Sequence, residues 1–158
     1  MQKLWFALSL MLVCSGTHGG ESKEELPSLL VWKNPVYLNN EVPSGLMIAV
    51  WPDGTVIRAK DADWIGSGNV RGRISKRDVE AILSSVTDEK LDNKKGGCAP
   101  ARVHSDSFTL KIKRGNRVET RDCESDTLKG MQDLIWSMEI IGPQPVTNRE
   151  VRSLYGAM

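Results

Sequence analysis

The stretch Leu46-Met47-Ile48-Ala49-Val50-Trp51-Pro52-Asp53-Gly54-Thr55-Val56-Ile57 spells out a β-hairpin. Leu46, Ile48 and Val50 alternate along one face of a strand. Pro52 presets φ for a turn, Asp53 caps it, Gly54 accepts a positive φ, and Thr55-Val56-Ile57 starts the return strand. The same order comes back further along: Phe108, Leu110 and Ile112 alternate, Arg114-Gly115-Asn116-Arg117 turns, and Val118 begins the second return.

A helical pattern follows each hairpin. Ser75 with Asp78 three residues later is a cap of the Ser-x-x-acid kind, and Val79, Ile82, Leu83 and Val86 continue at helical spacing. The second helix opens near Ser125 or Asp126, carries Leu128, Met131, Leu134, Ile135 and Met138 on one side, and ends before Gly142-Pro143. One hairpin with one helix buries too little apolar surface to stand alone, so the two units, about 46–86 and 108–141, must share a core. The fold class expected is α+β: an antiparallel sheet of four or more strands with two helices on one face.

Outward from this centre the chain changes character. Lys3 is the only charge in residues 1–19, Leu4 to Val13 is an apolar run, and small or polar residues follow it, which is the pattern of a signal peptide cut after Gly16 or Gly19. A helix of about 10 residues rises only about 15 Å, half of a hydrocarbon core, so no transmembrane helix is expected after cleavage. Residues 20–28 read as a flexible leader, 29–141 as a single globular domain and 142–158 as a C-terminal tail broken by Gly142-Pro143-Gln144-Pro145, with helical turns between Asn148 and Tyr155. A rival for the N-terminus is an envelope lipoprotein acylated at Cys14, although Val13 stands where a small residue is usual.

The full chain of 158 residues carries 21 Lys plus Arg against 20 Asp plus Glu, and loss of Lys3 with the signal peptide brings the formal charge to zero. A protein held to nucleic acid by charge needs a positive excess, so no nucleic acid is expected. Cys98 and Cys123 survive cleavage as an even pair in an oxidising compartment, which reads as a disulfide. Closing a loop of about 25 residues stabilises a domain by roughly 3–4 kcal/mol in the chain-entropy model.

Catalytic chemistry is thinly supplied. His104 is the single histidine beyond residue 19, and no G-x-S-x-G elbow presents a serine. Cys98, His104 and Cys123 lack the close pair that starts a metal site, and the disulfide accounts for both cysteines, so no metal and no cofactor are expected. The run from Asp61 to Asn69 carries oxygen ligands and glycines but has Gly72 where a calcium loop needs its chelating Glu. The glycines from Gly66 to Gly72 match neither a dinucleotide fingerprint nor a P-loop, and read as a loop.

Two features suit contact with a partner. Lys111, Lys113, Arg114, Arg117 and Arg121 gather on the second hairpin, and Trp32, Trp51, Trp64 and Trp136 are many for so few other aromatics. The sequence therefore points to an exported small domain, secreted or periplasmic. Its first reading is a non-catalytic binding or inhibitory module that meets a protein or polysaccharide through Trp64, Lys113, Arg114 and Arg117 and through the tip Pro52-Asp53-Gly54. The alternative from a different class is a small carboxylate-dependent hydrolase using Asp61, Asp63 or Asp106 near Arg102.

Overall fold

The computed structural model describes residues 25–34, 45–61, 68–87, 98, 107–124 and 128–158. Their elements run β1 (Leu29–Asn34), β2 (Gly45–Val50), β3 (Thr55–Ala59), β4 (Asn69–Arg73), α1 (Lys76–Ser85), β5 (Ser107–Arg114), β6 (Arg117–Glu124), α2 (Lys129–Ser137), β7 (Ile141–Val146) and α3 (Asn148–Ala157). The fold is α+β, with one seven-stranded sheet in the order β6-β5-β1-β2-β3-β4-β7 and antiparallel pairing throughout.

Both hairpins form at the turns read from the sequence, with Val50 opposite Val56 and Arg114 opposite Arg117, but Leu46 does not share a face with Ile48 and Val50: it packs with Ala49 and Ile57 on the other side of the sheet. β1 joins them, pairing with β2 on one side and β5 on the other. Its Leu29-Leu30-Val31-Trp32 run is buried on both faces, as a central strand requires. The register of β1 against β2 shifts between Val31 and Trp32, so Met47 is an extra residue on β2. Met47 consequently packs with the same cluster as Ile48 instead of alternating away from it.

The principal core lies under α1 and α2. Val79 and Ile82 of α1 and Met131 and Ile135 of α2 pack with Leu29, Val31, Ile48, Val50, Val56, Phe108, Leu110 and Ile112 of the sheet. Ser75 caps α1 as its spacing foretells, its hydroxyl accepting from the Asp78 amide at 3.1 Å. The start of α2 at Ser125 or Asp126 lies outside the described residues; its described part begins at Leu128. Arg58 projects into this layer and donates to the carbonyls of Ile135 at 2.8 Å and Met138 at 3.4 Å, closing the end of α2.

The opposite sheet face has its own cluster: Leu30, Trp32, Leu46, Ala49 and Ile57 meet Val151, with Leu154, Tyr155 and Met158 of the C-terminal segment alongside. The sheet is thus covered on both faces, by α1 and α2 on one and by α3 on the other.

Three further readings of the sequence need correction. The glycine-bearing segment taken as a loop contains β4, because Val70 and the residues beside it extend the ladder of β3. Residues 142–158 are built into the domain: β7 pairs with β4, and α3 is docked through Val151. Pro143 and Pro145 are accommodated because β7 is an edge strand, where a missing N–H faces outward. In the leader, Ser28 donates to Val50 and accepts from the Lys113 amide, so the chain is tied to the sheet before β1 begins.

Candidate functional site

A cleft of about 450 Å³ opens on the α3 face, lined by Glu25, Leu26, Trp51, Asp53, Thr55, Arg71, Ser153, Leu154 and Ala157. Thr55 and Arg71 supply its floor from β3 and β4, which pair side by side, and the last turns of α3 form one wall. The turn from Trp51 to Gly54 forms the rim.

That rim is held from several directions. Trp51 N donates to Thr55 O at 2.9 Å, and Ile74 N donates to Gly54 O at 2.9 Å. Gly54 has φ +88°, and a Cβ there would stand 2.8 Å from the Ile74 carbonyl oxygen, so both the backbone angle and the close approach call for glycine. The indole Nε1 of Trp51 donates to Glu25 O at 2.5 Å, which fixes the chain ahead of β1 along the other side of the cleft.

The electrostatics favour fixed charges over proton transfer. The Asp53 carboxylate accepts from Thr55 N and Thr55 Oγ1, each at 2.9 Å, and Arg73 lies 3.9 Å away. These bonds, led by the Thr55 amide, hold the Asp53 carboxyl below its ordinary range and keep it ionised at neutral pH. Glu150, in the first turn of α3, is likewise held low by the amide and hydroxyl of Thr147. Arg71 sits 3.6 Å from Glu150 with about half of its side chain exposed, 45%, so its guanidinium keeps donors open toward solvent and the cleft. The result is an apolar wall of Leu26, Trp51, Leu154 and Ala157 beside one accessible cation.

The basic hairpin is divided by the pleat. Lys111 and Lys113 lie on the α3 face, whereas Arg114, Arg117 and Arg121 lie with Leu110 and Ile112 on the other. Lys111 donates to Tyr155 O at 2.7 Å and stands 3.9 Å over the Tyr155 ring, and Lys113 is 4.0 Å from Glu25. Glu119 takes both Arg114, at 3.5 Å, and Arg121. Arg117 is exposed at the tip. The structure therefore does not bring these five cations together as one surface.

Cys98 and Cys123 are joined in a disulfide, and both are buried. Trp64, Asp63, Arg102, His104 and Asp106 lie outside the described residues, and Asp61 is exposed after β3. Among the described residues no group of three His, Cys, Asp or Glu is placed to hold a metal, and no helix is long and apolar enough to cross a membrane. Of the tryptophans, Trp32 is buried against Tyr155 with ring centroids 4.6 Å apart, and Trp136 is half-buried under Arg58. The sequence reading missed Arg71 and the α3 wall. A signal for that wall was present: Thr147-x-x-Glu150 is a capping box, and Val151, Leu154, Tyr155 and Met158 follow at helical spacing.

Comparison of the chain with protein-family models, with curated proteins and with solved structures found no match in any of the three.

Proposed function

We propose that the protein is an exported, non-catalytic binding module that takes an extended segment of a partner protein into the cleft between α3 and the sheet. An apolar side chain of the partner rests on Leu26, Trp51 and Leu154, and a carboxylate pairs with Arg71. One observation carries this reading: Arg71, about half exposed, is the one cation among the described residues lining an apolar cleft, and the two acids that line it are already engaged, Asp53 by the Thr55 amide and hydroxyl and Glu25 by Lys113 at 4.0 Å. Glu150, outside the lining, caps α3 and lies 3.6 Å from Arg71. The hydrolase alternative rests on Asp61, Asp63 or Asp106, of which only Asp61 lies within the described residues, and Asp61 is not among the residues that line this cleft.

Export is supported by the apolar N-terminal run and by the Cys98–Cys123 bridge, which suits an oxidising compartment. Trp64 and the hairpin tip with Lys113, Arg114 and Arg117 remain further contact candidates within the same module.

The test uses the mature protein, immobilised and panned against a phage-displayed peptide library, in parallel with Arg71→Ala and Ala157→Trp. The expected result is a convergent peptide containing an acid beside an apolar residue, bound at least about tenfold more weakly by each variant, a loss of about 1.4 kcal/mol. No convergent peptide, or equal binding by the variants, rejects this cleft as the binding site.

A further inference from the structure

We propose that β6 is a self-recognition edge, through which two copies of the chain join their sheets antiparallel about a two-fold axis at Thr120.

β6 ends the sheet on the side opposite β7 and spans Arg117–Glu124, eight residues with no proline. The other edge, β7, carries Pro143 and Pro145, so the two edges differ in their capacity to accept a strand. Which groups of β6 face outward follows from the hairpin. The turn is the two-residue Gly115-Asn116, so Arg114 and Arg117 form the hydrogen-bonded pair that closes it. Lys113 N agrees with this phase, since it points away from β6 and donates to Ser28 O at 2.9 Å. Val118, Thr120 and Asp122 therefore turn their N–H and C=O groups away from β5, to a side where no strand pairs with them among the described residues, while Arg117, Glu119, Arg121 and Cys123 bond inward to β5.

A second β6 can pair only through these outward groups, which limits the registers available. In a continuous sheet with a two-fold axis, even-numbered residues stand opposite even-numbered ones. Centring the axis on Glu119 sets Glu119 against its own copy and Arg117 against Arg121. Centring it on Arg121 sets two arginines face to face. Centring it on Thr120 sets Glu119 opposite the copy's Arg121, and Arg121 opposite the copy's Glu119. These are non-hydrogen-bonded positions, where side chains approach most closely, with Cα atoms about 4.5 Å apart.

The charges that guard this edge against indiscriminate pairing thus become complementary in the one register that pairs the whole strand; an axis on Val118 also sets Arg117 opposite the copy's Glu119, but it overlaps only residues 116–120. With the axis on Thr120, Val118 faces Asp122 twice, and Thr120 faces Thr120. The interface is one strand wide and belongs to the weak, concentration-dependent class.

Sedimentation of the mature, disulfide-bonded protein over a concentration series tests this, with four variants. Thr120→Pro removes the outward N–H at the axis and leaves the β5 ladder intact, because that N–H takes no part in it. Glu119→Arg and Arg121→Glu each create like-charge pairs across the axis, and the double exchange restores complementarity. The expected result is a twofold rise in weight-average mass for the wild type and the double exchange, and a constant monomer mass for Thr120→Pro and both single variants. Circular dichroism confirms that each variant is folded. A wild type that stays monomeric at the highest concentration, a dimer that survives Thr120→Pro, or a double exchange that fails to recover the dimer would each overturn the proposal.

Discussion

The guanidinium of Arg58, on β3, lies 4.9 Å from the ring centroid of Trp136, on α2, while its Nη1 donates to Ile135 O at 2.8 Å. A charged side chain projecting from the sheet into an apolar layer costs desolvation, and burial indeed lowers its pKa. The cost is offset because the group lands on the carbonyl end of a helix, where the dipole is negative, and beneath an indole face. One residue therefore anchors the second helix to the first hairpin's return strand. Replacing Arg58 by Met, which keeps the stem and removes the charge, is expected to destabilise the protein by about 2–3 kcal/mol. Arg58→Lys is not expected to substitute, since an ammonium lacks the planar fork. Urea unfolding of the single variants and of the pair with Trp136→Ala is expected to return a coupling of about 1 kcal/mol.

A second polar device sits in the sheet between β1, β5 and β6. Asn34 Nδ2 donates to Thr109 Oγ1 at 2.9 Å, and Thr109 Oγ1 donates to Asp122 Oδ1 at 2.7 Å, with Thr109 itself buried. Removing the hydroxyl leaves an amide donor and a carboxylate acceptor without this partner. Thr109→Val, nearly the same shape, is expected to cost about 1–3 kcal/mol in chemical denaturation, and Thr109→Ser less than half as much.

The Cys98–Cys123 bridge ties the segment ahead of β5 to the far end of β6, and Cys123 is fully buried. Paired replacement by alanine is expected to lower stability by about 3–4 kcal/mol from loop entropy. Intact-mass measurement with and without reduction is expected to differ by the mass of two hydrogen atoms. Unfolding midpoints of the oxidised and reduced forms give the energy directly.

What could be read in advance was whatever the chain states locally. Both hairpin turns, the Ser75 cap and the apolar stripe of α1 are sequence-local and appear as read, whereas the bulge at Met47, which sends Leu46 to the other face from Ile48 and Val50, leaves no mark in the alternation. β1 was legible only as the apolar run Leu29 to Trp32, since its position between β2 and β5 depends on long-range pairing. β4 hid behind Gly68 and Gly72, which look like loop residues: Gly68 takes φ +112° just ahead of the strand, and Gly72 serves packing, since a Cβ there would stand 2.8 Å from Ile141 O and press on the Ile140 side chain. β7 was masked by its two prolines, which read as breakers unless the strand is known to be an edge. The cleft could not be read at all, because Trp51, Arg71 and Leu154 meet only when α3 folds back over the sheet.

Gly72 supplies a direct check on that edge. It stands on β4 opposite Val56, where the register of β7 shifts between Arg71 and Arg73. Gly72→Ala pushes a methyl group into backbone that cannot yield as a flexible side chain can. Loss of about 1–3 kcal/mol is expected, with faster hydrogen exchange in residues 141–146 than in β2 or β5.

The docking of α3 has a pH signature whose sign follows from its cap. Thr147 Oγ1 accepts from Glu150 N at 3.3 Å, and the Glu150 carboxylate accepts from Thr147 N at 3.1 Å and from the Thr147 hydroxyl at 2.8 Å. These bonds, the Thr147 amide first, hold the folded Glu150 carboxyl below its unfolded value. Such a group adds stability that is fully present above the unfolded pKa, about 4.3 for glutamate, and is lost as the pH falls through the folded pKa. In Thr147→Ala the Glu150 titration is expected to move up toward the ordinary value, which carboxyl-detected NMR reads directly. The unfolding midpoint of this variant is expected to trail the wild type at pH 7, and the gap is expected to narrow below about pH 4 as Glu150 protonates in both proteins. A gap that stayed constant with pH would assign the loss to the Thr147 hydroxyl alone and remove Glu150 from the linkage that holds α3 in place.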